Sequence, residues 1–274
     1  MHWVGFVLVA VAGLLIFLAR RASAKVFHIK ATETSKIDTI VKLVSDIAKE
    51  MPDGMATGYR EYVEVKGKIG SDEPIRGELS DKMAAVVETV VYRVYERREE
   101  HRDPQGNVRT EWKKAEETVS SNRREAPFWI DDGTGRLRVK ATSGIELDKL
   151  VERFESASAV ESGLGANLTL SVGRFQLSLA GGGGSARTLG YKFVERALPI
   201  GRNVYALGEA AHTDDDGLVL RPPTDENKKK PFMISLRTEE ELVRSGERTA
   251  TILKVIAGVL AAGAVVLIVL GLTG

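Results

Sequence analysis

The sequence has no cysteine among its 274 residues, and this absence excludes disulfide bonds, thiolate metal sites and a cysteine nucleophile within them. Histidine is scarce as well, and the four that occur lack the spacing of metal ligands: His2, His28, His101 and His212. The 39 basic and 38 acidic residues nearly cancel, so no overall field favours nucleic acid. We therefore expect no cofactor, no metal ion and no nucleic-acid partner.

Residue clusters that carry catalysis are also missing. The acidic run Asp214-Asp215-Asp216-Gly217 does not fit an EF-hand, because the twelfth loop position would be Pro223. The adjacent carboxylates of Asp131-Asp132-Gly133 are typical of a turn, where neighbouring side chains point apart. The four glycines at positions 181–184 precede no Lys-Ser/Thr pair, so they do not form a phosphate-binding loop. The sequence thus predicts no catalytic, cofactor-binding or metal-binding residue.

Two long apolar segments lie near the two ends of the sequence. Residues 3–19 are 17 uncharged residues and residues 255–274 are 20 more, and about 20 apolar residues span the hydrocarbon core of a bilayer. We predict an N-terminal transmembrane helix over residues 1–20 and a C-terminal one over residues 252–273. A cleaved signal peptide is the alternative for the first segment, since Ala22-Ser23-Ala24 resembles a cleavage site. We favour an uncleaved anchor, because no lysine or arginine precedes the apolar segment.

Basic residues flank both apolar segments on the side of the intervening region. They are Arg20, Arg21 and Lys25 after the first segment, and Arg244, Arg248 and Lys254 before the second. Under the positive-inside rule, the chain crosses the membrane twice and the large intervening region is cytoplasmic. The alternative is a periplasmic or otherwise extracytoplasmic region, since long domains are translocated despite such charges.

The intervening region is predicted to be a juxtamembrane helical stalk followed by a β-rich domain. Within residues 21–54, apolar side chains recur at helical spacing from Ile37 to Ala48, and Ser35 is the predicted N-cap. Residues 55–245 form many short alternating runs, which are typical of strands. The predicted fold class is therefore α+β and mainly β. The similar runs 63–69 and 204–210 suggest two small barrel-like units.

Turn and capping residues predict further elements within the domain. Gln105-Gly106-Asn107 and the stretch 131–135 are predicted turns of hairpins. The runs 217–221 and 231–235 look like another pair of strands, and Thr238 with Glu241 is predicted to cap a short helix that leads to the second span. A further helix is predicted from a capping box and an apolar face, formed by Ser143, Glu146, Leu147, Leu150, Val151 and Phe154.

Residues 163–186 form an unusual glycine-rich segment that contains a hairpin pattern. Apolar residues alternate with small polar residues from Leu168 to Leu179, and Arg174 is the only charged residue from Leu164 to Ser185. Such a hairpin contacts lipid, pairs with a neighbouring copy of the chain, or packs into its own domain. The run Lys228-Lys229-Lys230 is a solvated loop or, if it faces the membrane, a contact for anionic headgroups.

Short motifs distributed over almost the whole sequence resemble, in their order, the GIDE family, whose domain is also called BAM, for "beside a membrane". The residues that carry this resemblance are Glu64-Val65-Lys66-Gly67, Pro74-Ile75-Arg76-Gly77, Val91-Tyr92-Arg93, Trp112, Phe128-Trp129-Ile130-Asp131-Asp132, Glu195, Leu198-Pro199-Ile200-Gly201, Val204-Tyr205-Ala206-Leu207-Gly208-Glu209-Ala210 and Pro231-Phe232-Met233-Ile234-Ser235. The best-known members are membrane-anchored E3 ubiquitin ligases of mitochondria and chloroplasts, in which a RING finger follows the second span. In the mitochondrial members the domain faces the intermembrane space, which conflicts with the cytoplasmic placement that the flanking charges predict.

The resemblance extends to the domain and the spans but not to the RING finger. A RING binds two zinc ions through eight Cys and His ligands, and this sequence has no cysteine. The resemblance therefore implies a RING-less member, similar in layout to those of prokaryotes. We expect a non-catalytic binding, sensing or scaffolding module at the lipid bilayer that assembles with itself or with a protein partner. The alternatives are a membrane-perturbing effector of a stress or defence system and, by family name only, a ubiquitin ligase.

Overall fold

The computed structural model describes residues 2–50, 58–102, 108–156, 167–172, 174–180, 187–224 and 230–273. The chain forms two compact units. The barrel unit comprises Met1–Gly67, Ile130–Ile145 and Asn203–Gly274, and the long-sheet unit comprises Lys68–Trp129 and Glu146–Arg202. The β-rich region between residues 55 and 245 contributes to both units, and apolar helices flank it, so the predicted mainly β fold class is confirmed.

The described helices are α1 (His2–Ala31), α2 (Ile37–Glu50) and α3 (Glu239–Thr273). At 1.5 Å per residue, α1 is about 45 Å long and α3 about 52 Å. Each contains a stretch long and apolar enough to cross a bilayer, Trp3–Ala31 and Glu239–Val269. The capping box at Thr238 is confirmed, since Glu241 N donates to Thr238 Oγ1 over 3.3 Å and Thr238 N donates to Glu241 Oε2 over 3.1 Å. The predicted short helix is wrong, because α3 continues unbroken into the apolar segment.

Helices α1 and α3 pack against each other in antiparallel orientation. A Cβ at Gly5 would lie 2.5 Å from Cγ1 of Ile268, so the absence of a side chain permits this close approach. Lys30, at the other end of α1, pairs with Glu247 over 2.6 Å. Small buried residues line both helices, and large apolar residues point away from the pair. The buried ones are Ala12, Ala19, Ala257 and Ala264, and the exposed ones include Phe6, Phe17, Val255 and Val259.

Helix α2 packs one face on the barrel unit and receives its cap from a distant turn. Ile37, Ile40 and Val44 are buried. The N–H of Ile37 donates to Asp132 Oδ2 over 2.8 Å, and that of Asp38 donates to Thr134 Oγ1 over 3.2 Å. Ser35 is therefore not the N-cap that the sequence predicts; its own N–H donates to the carbonyl of Glu64. Capping by a remote carboxylate leaves no local signal in the sequence.

The described strands are β1 (Arg60–Gly70), β2 (Ile75–Arg76), β3 (Met83–Arg102), β4 (Val108–Glu125), β5 (Phe128–Asp131), β6 (Arg136–Val139), β7 (Asp148–Ser156), β8 (Asn167–Val172), β9 (Phe175–Ala180), β10 (Arg187–Pro199), β11 (Asn203–Thr213), β12 (Gly217–Arg221) and β13 (Met233–Ser235). One sheet has the order β1-β5-β6-β12-β11-β13, and β1 also pairs with β11. That pairing closes five strands into a ring, in which β12 runs parallel to β6 and antiparallel to β11. The strand order is that of the five-stranded Greek-key barrel known as the OB-fold.

The strand order of this sheet tests several of the predicted strand pairings. The hairpin at residues 131–135 is confirmed, since β5 and β6 are neighbours. Strands β12 and β13 do not pair with each other as predicted; they both pair with β11. The two similar runs, β1 and β11, also pair with each other within one sheet. The two runs are thus neighbouring strands of one closed ring.

Strand β11 lies at the centre of the barrel unit and is buried on both faces from Val204 to Ala211. By alternation, Val204 and Ala206 face one side of the sheet, and Tyr205 and Leu207 face the other. The second side is covered by the ends of α1 and α3 that lie nearest the barrel, through Ile29 and Leu242. The apolar helices are thus fixed directly to the core of the barrel unit.

The long-sheet unit is organised around β3, which pairs antiparallel with β4 on one side and with β10 on the other. The turn predicted at residues 105–107 lies outside the described residues, but the strands it joins pair up to Arg102 and Val108. The predicted helix after Ser143 is wrong, because residues 148–156 form β7 and pair with β10. A register shift at Leu150 changes the phase of the alternation, which makes the apolar spacing look helical.

The hairpin expected in the glycine-rich segment is present as β8 and β9, which form a separate two-stranded sheet. Its register places Leu168 opposite Leu179, and Leu170 opposite Leu177. At the turn, Val172 is buried with Val91, Tyr191 and Phe193 in the core of the long-sheet unit. The turn end of the hairpin is therefore packed into its own domain.

Candidate functional site

The barrel unit contains a buried carboxylate where its sheet meets the helices. Glu64 of β1 is 1% exposed. Its Oε2 accepts a hydrogen bond from the Tyr205 hydroxyl over 2.7 Å, and its Oε1 accepts one from Thr34 Oγ1 over 2.5 Å. Lys66 Nζ lies 3.1 Å from Glu64 Oε1 and 2.7 Å from Glu239 Oε2 at the start of α3. This network connects the α1–α2 junction, two strands and α3 through side chains.

The protonation states in this network are those of a structural cluster. Burial and then the hydrogen bond to Glu64 raise the pKa of Tyr205 far above its ordinary value, so its hydroxyl remains a donor. Burial opposes the charged form of Lys66, but hydrogen bonds to Glu239 and Glu64 outweigh it and raise the pKa of Lys66. A nucleophilic lysine requires a lowered pKa, and a tyrosine that acts as a base also requires a lowered pKa. Because the pKa values of Lys66 and Tyr205 are both raised, neither side chain has the protonation state that such chemistry needs.

A pocket of about 440 Å³ opens beside this network. Lys66, Tyr205 and Glu239 line it together with other residues around the start of α3, among them Arg237 and Glu240. Lys66 and Glu239 already form an ion pair with each other, so a ligand that uses either of them would have to compete with that pair. Among the described residues, no group of three His, Asp or Glu side chains is arranged to hold a metal ion.

Two other buried carboxylates, those of Glu195 and Glu209, also accept hydrogen bonds from nearby protein groups. In the long-sheet unit, Glu195 accepts hydrogen bonds from the N–H groups of Leu79 and Ser80 over 2.7 and 3.1 Å. Gly77 is required beside it, because a Cβ there would lie 2.5 Å from Glu195 Oε1. In the barrel unit, Glu209 accepts hydrogen bonds from Arg221 and from both the N–H and the hydroxyl of Thr224. All three glutamates stabilise local backbone or strand pairing.

The acidic and basic runs singled out in the sequence lie in turns. Residues 214–216 form the turn between β11 and β12, and Asp216 pairs with Lys140. Asp132 caps α2, and its pKa is lowered although burial opposes this, because the N–H groups of Ile37 and Thr134 donate to it. Of the lysine run, Lys228 and Lys229 lie outside the described residues, and Lys230 lies over the ring of Tyr62 at 4.7 Å.

Sequence reasoning missed the roles of the three glutamates. One signal was available, since each stands in a strand next to apolar residues that become buried. The hydrogen-bond partners Tyr205, Arg221 and Thr224 lie 12 to 141 positions away along the chain, and alternation alone does not identify them. All three glutamates are among the residues that carry the resemblance of the short motifs.

Comparison with known proteins agrees with that pattern. The family model described as "GIDE: E3 Ubiquitin ligase" matches residues 96–270. The chain belongs to the GIDE family. Two GIDE relatives from Arabidopsis thaliana are similar: the E3 ubiquitin-protein ligase SPL1, 24% identical over 250 residues, and the E3 ubiquitin-protein ligase SP1, 29% identical over 184 residues.

The two GIDE relatives are longer than the region they share with this chain. The alignment with SPL1 covers 88% of this chain and 62% of the relative, and that with SP1 covers 66% and 46%. No solved structure matches the chain. The GIDE membership therefore explains the order of motifs, while the barrel topology follows from the strand pairing described above.

Proposed function

We propose that this GIDE protein is a membrane-anchored, non-catalytic binding module that assembles with copies of itself on the bilayer. The observation that carries the proposal is the continuity of α1 and α3 from their apolar segments into the core of the barrel unit. Ile29 and Leu242 pack on Tyr205 and Leu207 without an intervening linker. An anchor with this geometry holds the barrel at a fixed distance from the membrane surface.

Ubiquitin transfer is the activity named for the relatives, and we infer that this region does not supply it. A RING requires Cys and His ligands for zinc, and these 274 residues contain no cysteine. The buried carboxylates, tyrosine and lysine are engaged in structural hydrogen bonds. This supports a role for the region in anchoring and positioning rather than in recruiting a ubiquitin-conjugating enzyme.

Self-assembly is supported by the β8–β9 hairpin. A two-stranded sheet has two edges whose backbone groups are available to another strand, and such hairpins are marginal alone. Natural proteins protect edges with charged residues, yet the sequence from Leu164 to Ser185 has only Arg174. We infer that the hairpin pairs with the same hairpin of a neighbouring copy.

The first prediction concerns this hairpin. The double substitution Thr169→Lys/Ser178→Lys, at positions opposite each other in the β8–β9 register, should convert an assembly into single copies, because lysines on an edge oppose strand addition. Particle mass in detergent micelles measures the change. The matched control is Asp214→Lys in an exposed turn, which should leave the mass unaltered.

Two results would contradict the proposed function, the first its self-assembly and the second its role as a binding module. One is a particle mass of a single copy for the unsubstituted chain. The other is release of trapped dye when the chain is reconstituted in vesicles, which identifies a membrane-perturbing effector instead. The long-sheet core that holds Val172 is untouched by the substitutions, so loss of folding is not the expected cause of a lower mass.

The second prediction concerns orientation, and we propose that both units are cytoplasmic. Because no native thiol competes, Asp215→Cys in an exposed turn reports the side directly. A membrane-impermeant maleimide should label it only after cells are lysed. Trp3→Cys, at the opposite end of α1 and 84% exposed, should be labelled in intact cells. The reverse pattern would show that the units are extracytoplasmic.

A further inference from the structure

A second pocket of the barrel unit lies beside α1, next to the end of its apolar segment. Its volume is about 560 Å³. Its lining includes Arg21, Lys25, His28 and Lys230, whose side chains carry basic nitrogens, and the apolar residues Leu18 and Phe232. The pocket combines segments some 200 residues apart, so neither the α1 sequence nor the lysine run indicates it separately.

The charged side chains that line this pocket are basic. Among the described residues, no acidic side chain lines it. No ion pair joins Arg21 to any part of the chain that the structure describes. Lys30, one helical turn or less from the pocket, is different, since Glu247 neutralises it. Arg21 and Lys230 therefore bring two positive charges to a pocket that no described acidic side chain lines, and this favours a ligand that carries negative charge.

Aromatic contacts fix the position of Lys230 at the pocket wall. Its ammonium group lies 4.7 Å from the ring centre of Tyr62, and the Tyr62 hydroxyl donates to the carbonyl of Pro231 over 2.5 Å. The ring of His28 stands edge-on to Tyr62 at 6.4 Å. The basic groups from α1 and from the segment before β13 are thereby held on one side of the barrel unit.

The Arg21 end of the pocket matches the depth of the headgroup layer of a bilayer. Arg21 and Lys25 follow the apolar segment that ends at Ala19, at about 3 Å and 9 Å along the helix axis. The polar layer is about 5–8 Å thick on each side of the hydrocarbon core. Leu18, at the membrane end of the pocket, is 39% exposed and offers apolar contact to an acyl chain.

We propose that this pocket binds the phosphate group of an anionic phospholipid, with Arg21 and Lys230 as its principal cationic contacts. The inference rests on the proposed membrane anchorage, but it does not require self-assembly. An arginine guanidinium and a lysine ammonium both donate to phosphate oxygens. A lipid bound here would link α1 to the segment before β13.

The third prediction tests this pocket with the purified full chain in detergent. Native mass spectrometry would follow the binding of phosphatidylglycerol, with phosphatidylcholine of the same acyl chains as the neutral comparison. Arg21→Gln and Lys230→Gln should each weaken phosphatidylglycerol binding about fivefold, and the double variant about 25-fold. Arg21→Lys should retain most of the affinity.

The matched control is Arg20→Gln, which removes an exposed charge next to Arg21 but outside the pocket. It should leave the affinity unchanged, and an effect equal to that of Arg21→Gln would reduce the proposal to general surface charge. Inorganic phosphate should not displace the lipid, since it lacks the acyl chains; full displacement would show a site for free anions and overturn the lipid proposal. The mass spectrum gives the number of bound lipids for a particle of any number of chains. A chain that does not self-assemble can therefore still show lipid binding, and the two proposals are tested separately.

Discussion

Glu64→Ala is expected to lower the free energy of unfolding of the barrel unit by about 3 kcal/mol. The substitution leaves the hydroxyl of Tyr205 without its buried acceptor and removes the acceptor of Thr34. It also opens a cavity in a position that is 1% exposed. Denaturant unfolding of the full chain in detergent, followed by circular dichroism, measures the loss.

Two further substitutions distinguish the effect of losing the buried hydrogen bonds from the effect of losing a negative charge. Tyr205→Phe removes one hydrogen bond and should cost about 1 kcal/mol. Glu33→Ala removes an exposed carboxylate next to Thr34 and should change the stability by less than about 0.5 kcal/mol. Equal effects of Glu64→Ala and Glu33→Ala would refute the structural role assigned to the buried network.

Glu209→Ala is expected to have an effect of similar size, about 3 kcal/mol. Its carboxylate is fully buried and accepts from Arg221 Nη2 over 3.0 Å and from Thr224 Oγ1 over 2.9 Å. Removing it leaves a guanidinium, only 23% exposed, without its counter-charge. The same unfolding measurement applies.

The pair can be tested by a double-mutant cycle. Arg221→Ala combined with Glu209→Ala should cost less than the sum of the two single substitutions, by about 2 kcal/mol. The surface pair Lys149–Glu152, 2.8 Å long but half exposed on both sides, serves as the control, and its coupling should be below about 1 kcal/mol. Strict additivity at Glu209 and Arg221 would mean that their hydrogen bonds contribute nothing to stability.

Elements with a local physical cause could be predicted from the sequence. The apolar segments, the α2 periodicity and the Thr238–Glu241 capping box depend on residues within a few positions of each other, and the structure contains all three. The 131–135 turn is local in the same sense. The mainly β class follows from many such short signals.

Features that depend on distant partners could not be predicted. The β1–β11 closure, the cap of α2 by Asp132 and the acceptor role of Glu64 each join parts of the chain that nothing local connects. At β7, the helical spacing of its apolar residues was overridden by hydrogen bonding to β10 and by the register shift at Leu150. The basic pocket required Lys230 and Arg21 to be placed together in space.

The closure of the barrel by β1 and β11 has a consequence for biosynthesis. The two strands are separated by 132 residues, from Gly70 to Asn203, and a ribosome needs roughly 7 to 26 seconds to make that stretch at ordinary rates. The long-sheet unit is complete by Arg202, before the closing strand emerges. During synthesis, the β1 edge that pairs with β11 therefore stays unpaired until translation has nearly reached the second apolar helix, α3.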